Sequence, residues 1–152
     1  MNRYELSDFI QAEVARIYAK EYQRPFHVVV GNFADCDIIS ADEKVSVEVK
    51  LETTPQRTGN ACIEYWNSSL NCPSGILGTT ASLWLHIVPC EGVLTAFEFN
   101  KDSLRKLVIE GAGKLSSNSN AKFKVIPLEE FRKYALRTFE FHSAFQDEIL
   151  YS

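Results

Sequence analysis

Apolar residues recur at helical spacing near the start of the chain. Leu6, Phe9, Ile10, Val14 and Ile17, within "YELSDFIQAEVARIYAKEY", predict a helix over residues 4–22. At about 100° per residue, positions 6, 10, 13 and 17 share one stripe, which sets Glu13 inside the apolar face. A carboxylate there either reaches water from a rim position or faces a polar site beneath the helix. The period then changes. "PFHVVVG", "CDIIS" and "KVSVEVKLE" read as three strands, the last two joined through the turn residues "ADE".

The third strand carries an unusual pair. Successive strand side chains point to opposite faces, so Val45, Val47, Val49 and Leu51 share one face and Ser46, Glu48, Lys50 and Glu52 the other. Taken alone, Glu48 and Lys50 read as a solvated ion pair on a half-exposed sheet. Beyond it, "TTPQRTGN" predicts a loop, "ACIEYW" a short strand and "NSSLNCPSG" a second loop. "TTASLWLHIV" is expected to open as a short helix capped by Thr79 or Thr80 and to continue as a strand. "GVLTAFEF" predicts a strand, "NKDSLRKLVIEGAG" a helix with Asn100 as N-cap and Gly111 near its end, and "KLSSNSNAK" a polar loop. "FKVIP" is a strand, and "LEEFRKYAL" a helix whose acids and bases match the macrodipole. The tail from Thr138, with Phe139, Phe141, Phe145, Ile149, Leu150 and Tyr151, is too apolar to remain in water. It packs on its own core or joins subunits.

Composition bounds the choices. A chain of 152 residues is expected to form a single domain, 1–152. No apolar run approaches a membrane span and the start is polar, so a cytoplasmic protein without membrane partners is expected. Cys36, Cys62, Cys72 and Cys90 lie far apart, as do His27, His86 and His142, which gives a zinc site or a Cys-His nucleophile no support and points to reduced thiols.

The net charge of −4 hides an asymmetry. Residues 1–100 hold seven basic and thirteen acidic residues, whereas 101–137 hold nine basic and four acidic. That segment contains Lys101, Arg105, Lys106, Lys114, Lys122, Lys124, Arg132, Lys133 and Arg137. Either it is a solvated basic surface or it neutralises phosphates, in which case Lys101, Arg105, Lys122, Lys124 and Arg132 are the expected DNA contacts.

Glu13 beneath the first helix, Asp37 on the second strand, and Glu48 with Lys50 on the third are able to converge. Carboxylate oxygens suit magnesium, which takes one or two of them and leaves other positions to water and phosphate. Such a metal activates water for attack on a phosphodiester. Asp37, ten intervening residues and "EVK", preceded by a helix with Glu13, resemble the PD-(D/E)XK nuclease superfamily. The resemblance implies a restriction-endonuclease-like α/β (α+β) core, a mixed central sheet flanked by helices. It also implies Mg2+ held by Asp37, Glu48 and Glu13, with Lys50 beside them. The family's proline is absent, since Cys36 precedes Asp37, and Asp35 is a rival for the aspartate role.

"TGNACIEYW", "PSGI" and "TTASLW" further resemble small intron-encoded homing endonucleases of cyanobacteria within that superfamily. Glu64 is then either an added polar contact to the site or a surface strand residue. The implied activity is site-specific, metal-dependent hydrolysis of double-stranded DNA by a homodimer or homotetramer. A restriction, junction-resolving or repair nuclease, or a noncatalytic DNA-binding protein, would use the same fold.

Overall fold

The structure is a computed structural model that describes residues 1–30 and 36–151. Asp35 lies outside the described residues. Helix α1 (Arg3–Tyr22) opens on a reciprocal cap, in which the Asn2 side chain accepts from the Glu5 amide and Glu5 accepts from the Asn2 amide. It ends at Gln23 in the left-handed conformation. Ile10, Val14, Ala15 and Tyr18 are its buried residues. The inward face is therefore rotated from the predicted stripe, bringing Gln11 inward and leaving Glu13 on the flank.

Strands β1 (Phe26–Val28), β2 (Ile38–Ser40) and β3 (Ser46–Leu51) form an antiparallel meander. After β3 the chain leaves the sheet through α2 (Pro55–Thr58), β4 (Asn60–Asn67), β5 (Cys72–Pro73) and α3 (Gly75–Gly78). It returns as β6 (Leu83–Cys90), which pairs with β3 in parallel. Strand β7 (Val93–Asn100), helix α4 (Lys101–Glu110), β8 (Lys114–Ser117), β9 (Ala121–Pro127), α5 (Leu128–Tyr134), β10 (Arg137–Glu140) and α6 (Gln146–Leu150) complete the chain. The result is mixed α/β with two sheets. The central one is mixed, in the order β1-β2-β3-β6-β7-β10, and the second is ordered β5-β4-β9-β8.

The central sheet is covered on both faces. On one, α1 and α6 close over Ile38, Val47, Val49, Leu85, Ile87 and Leu94. On the other, the second sheet, α4 and α5 enclose Ala61, Ile63, Trp84, Phe97, Phe99, Leu107 and Phe131. The parity of β3 follows from this arrangement, since its valines face α1 and its charges face the second sheet.

Three local expectations are corrected. The predicted 53–60 loop contains α2, stopped by Gly59 at φ 73°. The helix expected to start at Thr79 or Thr80 lies earlier, as α3, and Thr79 is its C-cap. Gly75 decides that shift: its φ is +52°, and an added Cβ would stand 2.1 Å from the Glu64 carbonyl oxygen. Only glycine lets α3 lie directly on β4. The "KLSSNSNAK" segment is a strand and turn, because β8 finds a partner in β9 that its own polar pattern does not announce.

The tail packs within its own chain. Strand β10 pairs with β7, and Phe141, Ile149 and Leu150 are buried in the core beneath α1. Burying a residue such as Phe141 contributes about 1.5–3 kcal/mol. The apolar content that suggested a subunit interface is thereby largely accounted for within the chain, with Tyr151 left exposed. Among the described residues no helix is long and apolar enough to cross a membrane. None of the four cysteines forms a disulfide among the described residues.

Candidate active site between the two sheets

Asp37 stands where β2 leaves β3. Its backbone N–H donates to the Val47 carbonyl at 3.0 Å, and its carboxylate then takes the next rung, Oδ2 accepting from the Val49 N–H at 2.7 Å. Oδ1 accepts from the Gln11 amide of α1 at 3.3 Å. One residue before Val49, Glu48 turns toward the second sheet. The Lys50 amine lies 3.2 Å from its Oε1, and the Thr79 side chain hydrogen-bonds it from the end of α3. Lys50 also sits 5.7 Å over the Trp84 ring. The pair is unequal in exposure: 17% of the Glu48 side chain is accessible against 45% of Lys50. Glu48 is therefore not part of a fully solvated surface pair.

Both carboxyls are held against their preference. Burial pushes Asp37 up, opposed by the Val49 N–H and the Lys50 charge. Burial likewise pushes Glu48 up, Lys50 pulls it down, and the Asp37 charge raises it further. A raised carboxyl contributes stability that is fully present below its unfolded-state pKa and lost as pH rises through the folded value. At neutral pH these two charges therefore oppose folding. Asp37→Asn and Glu48→Gln should each raise the urea midpoint of the metal-free protein at pH 7, with the gain shrinking as pH falls toward about 4. A variant less stable than wild type at pH 7 would show that its hydrogen bonds outweigh the burial of its charge.

A cavity of about 810 Å³ opens beside Glu48 and Lys50; Asp37 stands behind them and is not among its lining residues. Glu48 and Lys50 of β3, Glu52 just after it, and Trp84 and His86 of β6 form one wall; Cys62, Glu64 and Phe123 of the second sheet face them, with Gly75 and Gly78 of α3. Glu52 ties the walls together. It accepts from the Cys62 N–H at 3.0 Å and lies 2.8 Å from His86 Nε2. The Trp84 indole donates to His86 Nδ1 at 3.1 Å, which leaves Nε2 as the donor to Glu52. Burial, with the Glu52 and Glu64 charges, pushes the Cys62 thiol up to about 11, so it is a poor source of thiolate.

The structure thus brings Asp37, Glu48 and Lys50 together and sets Glu64 on the facing wall. It does not bring Glu13. Its Oε1 accepts from the Ser143 hydroxyl at 2.7 Å and its Oε2 from the Ala144 N–H at 2.8 Å, which pins the tail. Gln11, two residues earlier and so about 200° around the helix, is the α1 residue that reaches Asp37. Among the described residues no group of three His, Cys, Asp or Glu side chains is placed to hold a metal.

Of the expected DNA contacts, Arg105 and Lys124 are turned inward. Arg105 donates to the carbonyls of Ile76 and Thr79, both at 2.8 Å, and so fixes the end of α3 that supplies Thr79 to Glu48. Lys124 is 7% exposed on β9. Lys101 is half-buried at the start of α4. Arg132 lies 5.4 Å over the Phe97 ring, and Lys122 lies 5.9 Å over Trp66. Of the wider basic segment, Arg137 is engaged by Glu21 and Glu98, and Lys133 pairs with Glu130.

Gln11, Glu52, Thr79, Trp84 and His86 stand beside the candidate residues without having been expected there. Glu52 alone carried a signal, since it shares the parity of Glu48 and Lys50 on β3. Neither a protein-family model nor a curated protein matches this sequence.

Proposed function

We propose that this protein is a metal-dependent DNA endonuclease of the PD-(D/E)XK type, acting through Asp37, Glu48 and Lys50. The observation that carries the reading is a partly buried carboxylate, Glu48, paired with an accessible lysine on a cavity wall and raised by the charge of a second buried carboxylate, Asp37, behind it. The order of α1, three antiparallel strands and a parallel fourth partner supports it. The long β3–β6 connection departs from the simpler helix, strand, strand, strand, helix, strand order.

The residues fit a magnesium ion. Two carboxylates are what such an ion commonly takes from protein, and the charge that burial opposes at Asp37 and Glu48 is the charge a cation offsets. Asp37 and Glu48 would hold it; Glu13, occupied by the tail, would not. When bound, the metal supplies Lewis acidity toward phosphate oxygens and bound water.

The chain's own groups do the rest. Lys50 donates to a phosphate oxygen or to the attacking water from the accessible side of the pair. Thr79, held by Arg105, and the Trp84 ring fix Glu48 and Lys50 in place. The reaction is hydrolysis: water adds to phosphorus, one P–O ester bond breaks, and the leaving oxygen takes up a proton. A double-strand break requires two such sites, so a homodimer or homotetramer belongs to the proposal, as does a homing-type role.

The test is incubation of the purified chain with supercoiled plasmid and linear duplex, with magnesium and with chelator. Nicking or linearisation only with the metal is expected. No cleavage of duplex or single-stranded DNA at any magnesium concentration, by a folded protein, would overturn the reading.

A further inference from the structure

Residues 112–120 are exposed without exception, and every position of β8 is among them. Among the described residues this strand is the outer edge of the second sheet, paired with β9. The hairpin is nevertheless well tied. Asn118 Oδ1 accepts from the N–H groups of Asn120 and Ala121, both at 2.8 Å, the Asn118 N–H donates to the Ala121 carbonyl, and Ser68 of the neighbouring loop donates to the Asn120 carbonyl. An ordered ribbon projecting into solvent with neither face of β8 covered is more than a connection between strands.

Its chemistry is distinctive within an acidic chain. From Gly111 to Leu128 there is no Asp or Glu, and Lys114, Lys122, Lys124 and a run of Ser and Asn fill the hairpin, although the whole protein carries −4. Lys124 is buried, so the exposed charges are Lys114 and Lys122. Register assigns them to opposite faces. Ser116 pairs with Phe123 and Lys114 with Val125, whereas Ser117 pairs with Lys122. Cross-strand partners share a face. Ser116 and Lys114 therefore continue the face of Phe123, which pairs in turn with Glu64; both Phe123 and Glu64 line the cavity that holds Glu48 and Lys50.

We propose that the β8–β9 hairpin is a duplex-reading ribbon that enters the DNA major groove and holds the backbone at the cavity mouth. The proposal rests on the nuclease reading for its substrate. A major groove about 12 Å wide admits a two-stranded ribbon. Lys114 and Lys122, one on each face, reach the phosphates on either side, while the hydroxyls of Ser116, Ser117 and Ser119 donate to or accept from base edges. The fixed turn lowers the ordering cost on binding. A second copy of the chain pairing edge to edge along β8 is the competing occupant, and a short strand that starts at a lysine is poorly suited to it.

Binding is measured without metal, in the Asp37→Asn background, on a mixed-sequence duplex over a range of salt. The variant Lys114→Ala/Lys122→Ala should reduce the slope of log affinity against log salt by about two units, one for each phosphate contact. Ser116→Ala/Ser119→Ala should leave the slope alone and change the preference among duplexes selected from a random pool. Because these positions are exposed, an unchanged thermal midpoint confirms that the fold is intact. An unchanged slope in the lysine variant overturns the proposal, as does an absence of duplex binding by the parent. A change in light-scattering mass with an unchanged slope also overturns it, in favour of a subunit contact. The two readings fail separately. Cleavage by wild type with an unaffected slope sinks the ribbon alone, and hairpin-dependent binding by a chain that never cuts DNA sinks the nuclease alone.

Discussion

Asp37→Asn and Glu48→Gln are each expected to lower the single-turnover rate of magnesium-dependent DNA cleavage by roughly a thousandfold, while leaving a folded protein. Both substitutions keep volume and an acceptor oxygen, so the Val49 N–H still finds a partner at position 37 and Thr79 at position 48. What disappears is charge. The several kcal/mol that a well-held metal gives to a phosphoryl transition state correspond, at about 1.36 kcal/mol per decade, to at least that factor. Rate and stability should move in opposite directions, since the same substitutions relieve the buried charge described above. A variant that cuts at the wild-type rate removes that residue from the site; loss of activity together with loss of fold would say nothing for a catalytic role, and far-ultraviolet circular dichroism separates these outcomes.

The largest effect on stability is expected away from that cavity, at Arg137. Glu98 is 6% exposed on the α1 side of β7, where the Tyr18 hydroxyl donates to it and Arg137 lies 3.0 Å away. Arg137 also engages Glu21 at 2.5 Å and stacks 4.7 Å over Phe139. Burial and the Glu98 charge push the Tyr18 hydroxyl well above its ordinary value, so it remains a donor, and Glu98 depends on Arg137 for a countercharge. Arg137→Met should cost about 3 kcal/mol in urea unfolding. That is the low end for breaking a buried pair, because the Arg137 side chain is itself 37% exposed. Adding Glu98→Gln should restore much of the loss by removing the stranded charge. Additive effects of the two substitutions would show that they are not coupled.

Much of the architecture was written in local patterns. The period change after residue 22, the alternation of β3 and the Asn100 cap each depend on neighbours in sequence, and each appears at nearly the expected place. What escaped depends on distant partners. Nothing within "KLSSNSNAK" announces a strand, because its pairing is supplied by β9. Nothing near Thr79 reveals that Gly75 permits contact with the Glu64 backbone. The site divides in the same way. The common face of Glu48 and Lys50 was legible from parity on one strand, and Asp37 was singled out by the resemblance to a nuclease pattern. Five apolar residues do not fix a helix's rotation, and in the structure Gln11 reaches Asp37 while the Glu13 carboxylate holds Ser143 and Ala144 of the tail. Lys124 and Arg105 were read as surface charges, since sequence does not distinguish a lysine stem laid against a core from one in solvent.

The parallel pairing of β3 with β6 sets an order on how this chain reaches its final form. The antiparallel β2–β3 pair closes over few residues, so Asp37 and Val49 are able to meet early. The next partner of β3 lies far along the chain, Val47 aligning with Leu83, and the whole of β4 falls between them. Strand β4 then waits longer still for β9, where Asn60 meets Pro127. Each closure must be met in entropy before its contacts form, and a sheet stitched by such distant segments condenses slowly. Refolding should therefore pass through a stage in which Asp37 already holds the Val49 N–H on its hairpin while the opposite wall is still unassembled. During synthesis, the cavity between the two sheets cannot close until most of the chain has left the ribosome.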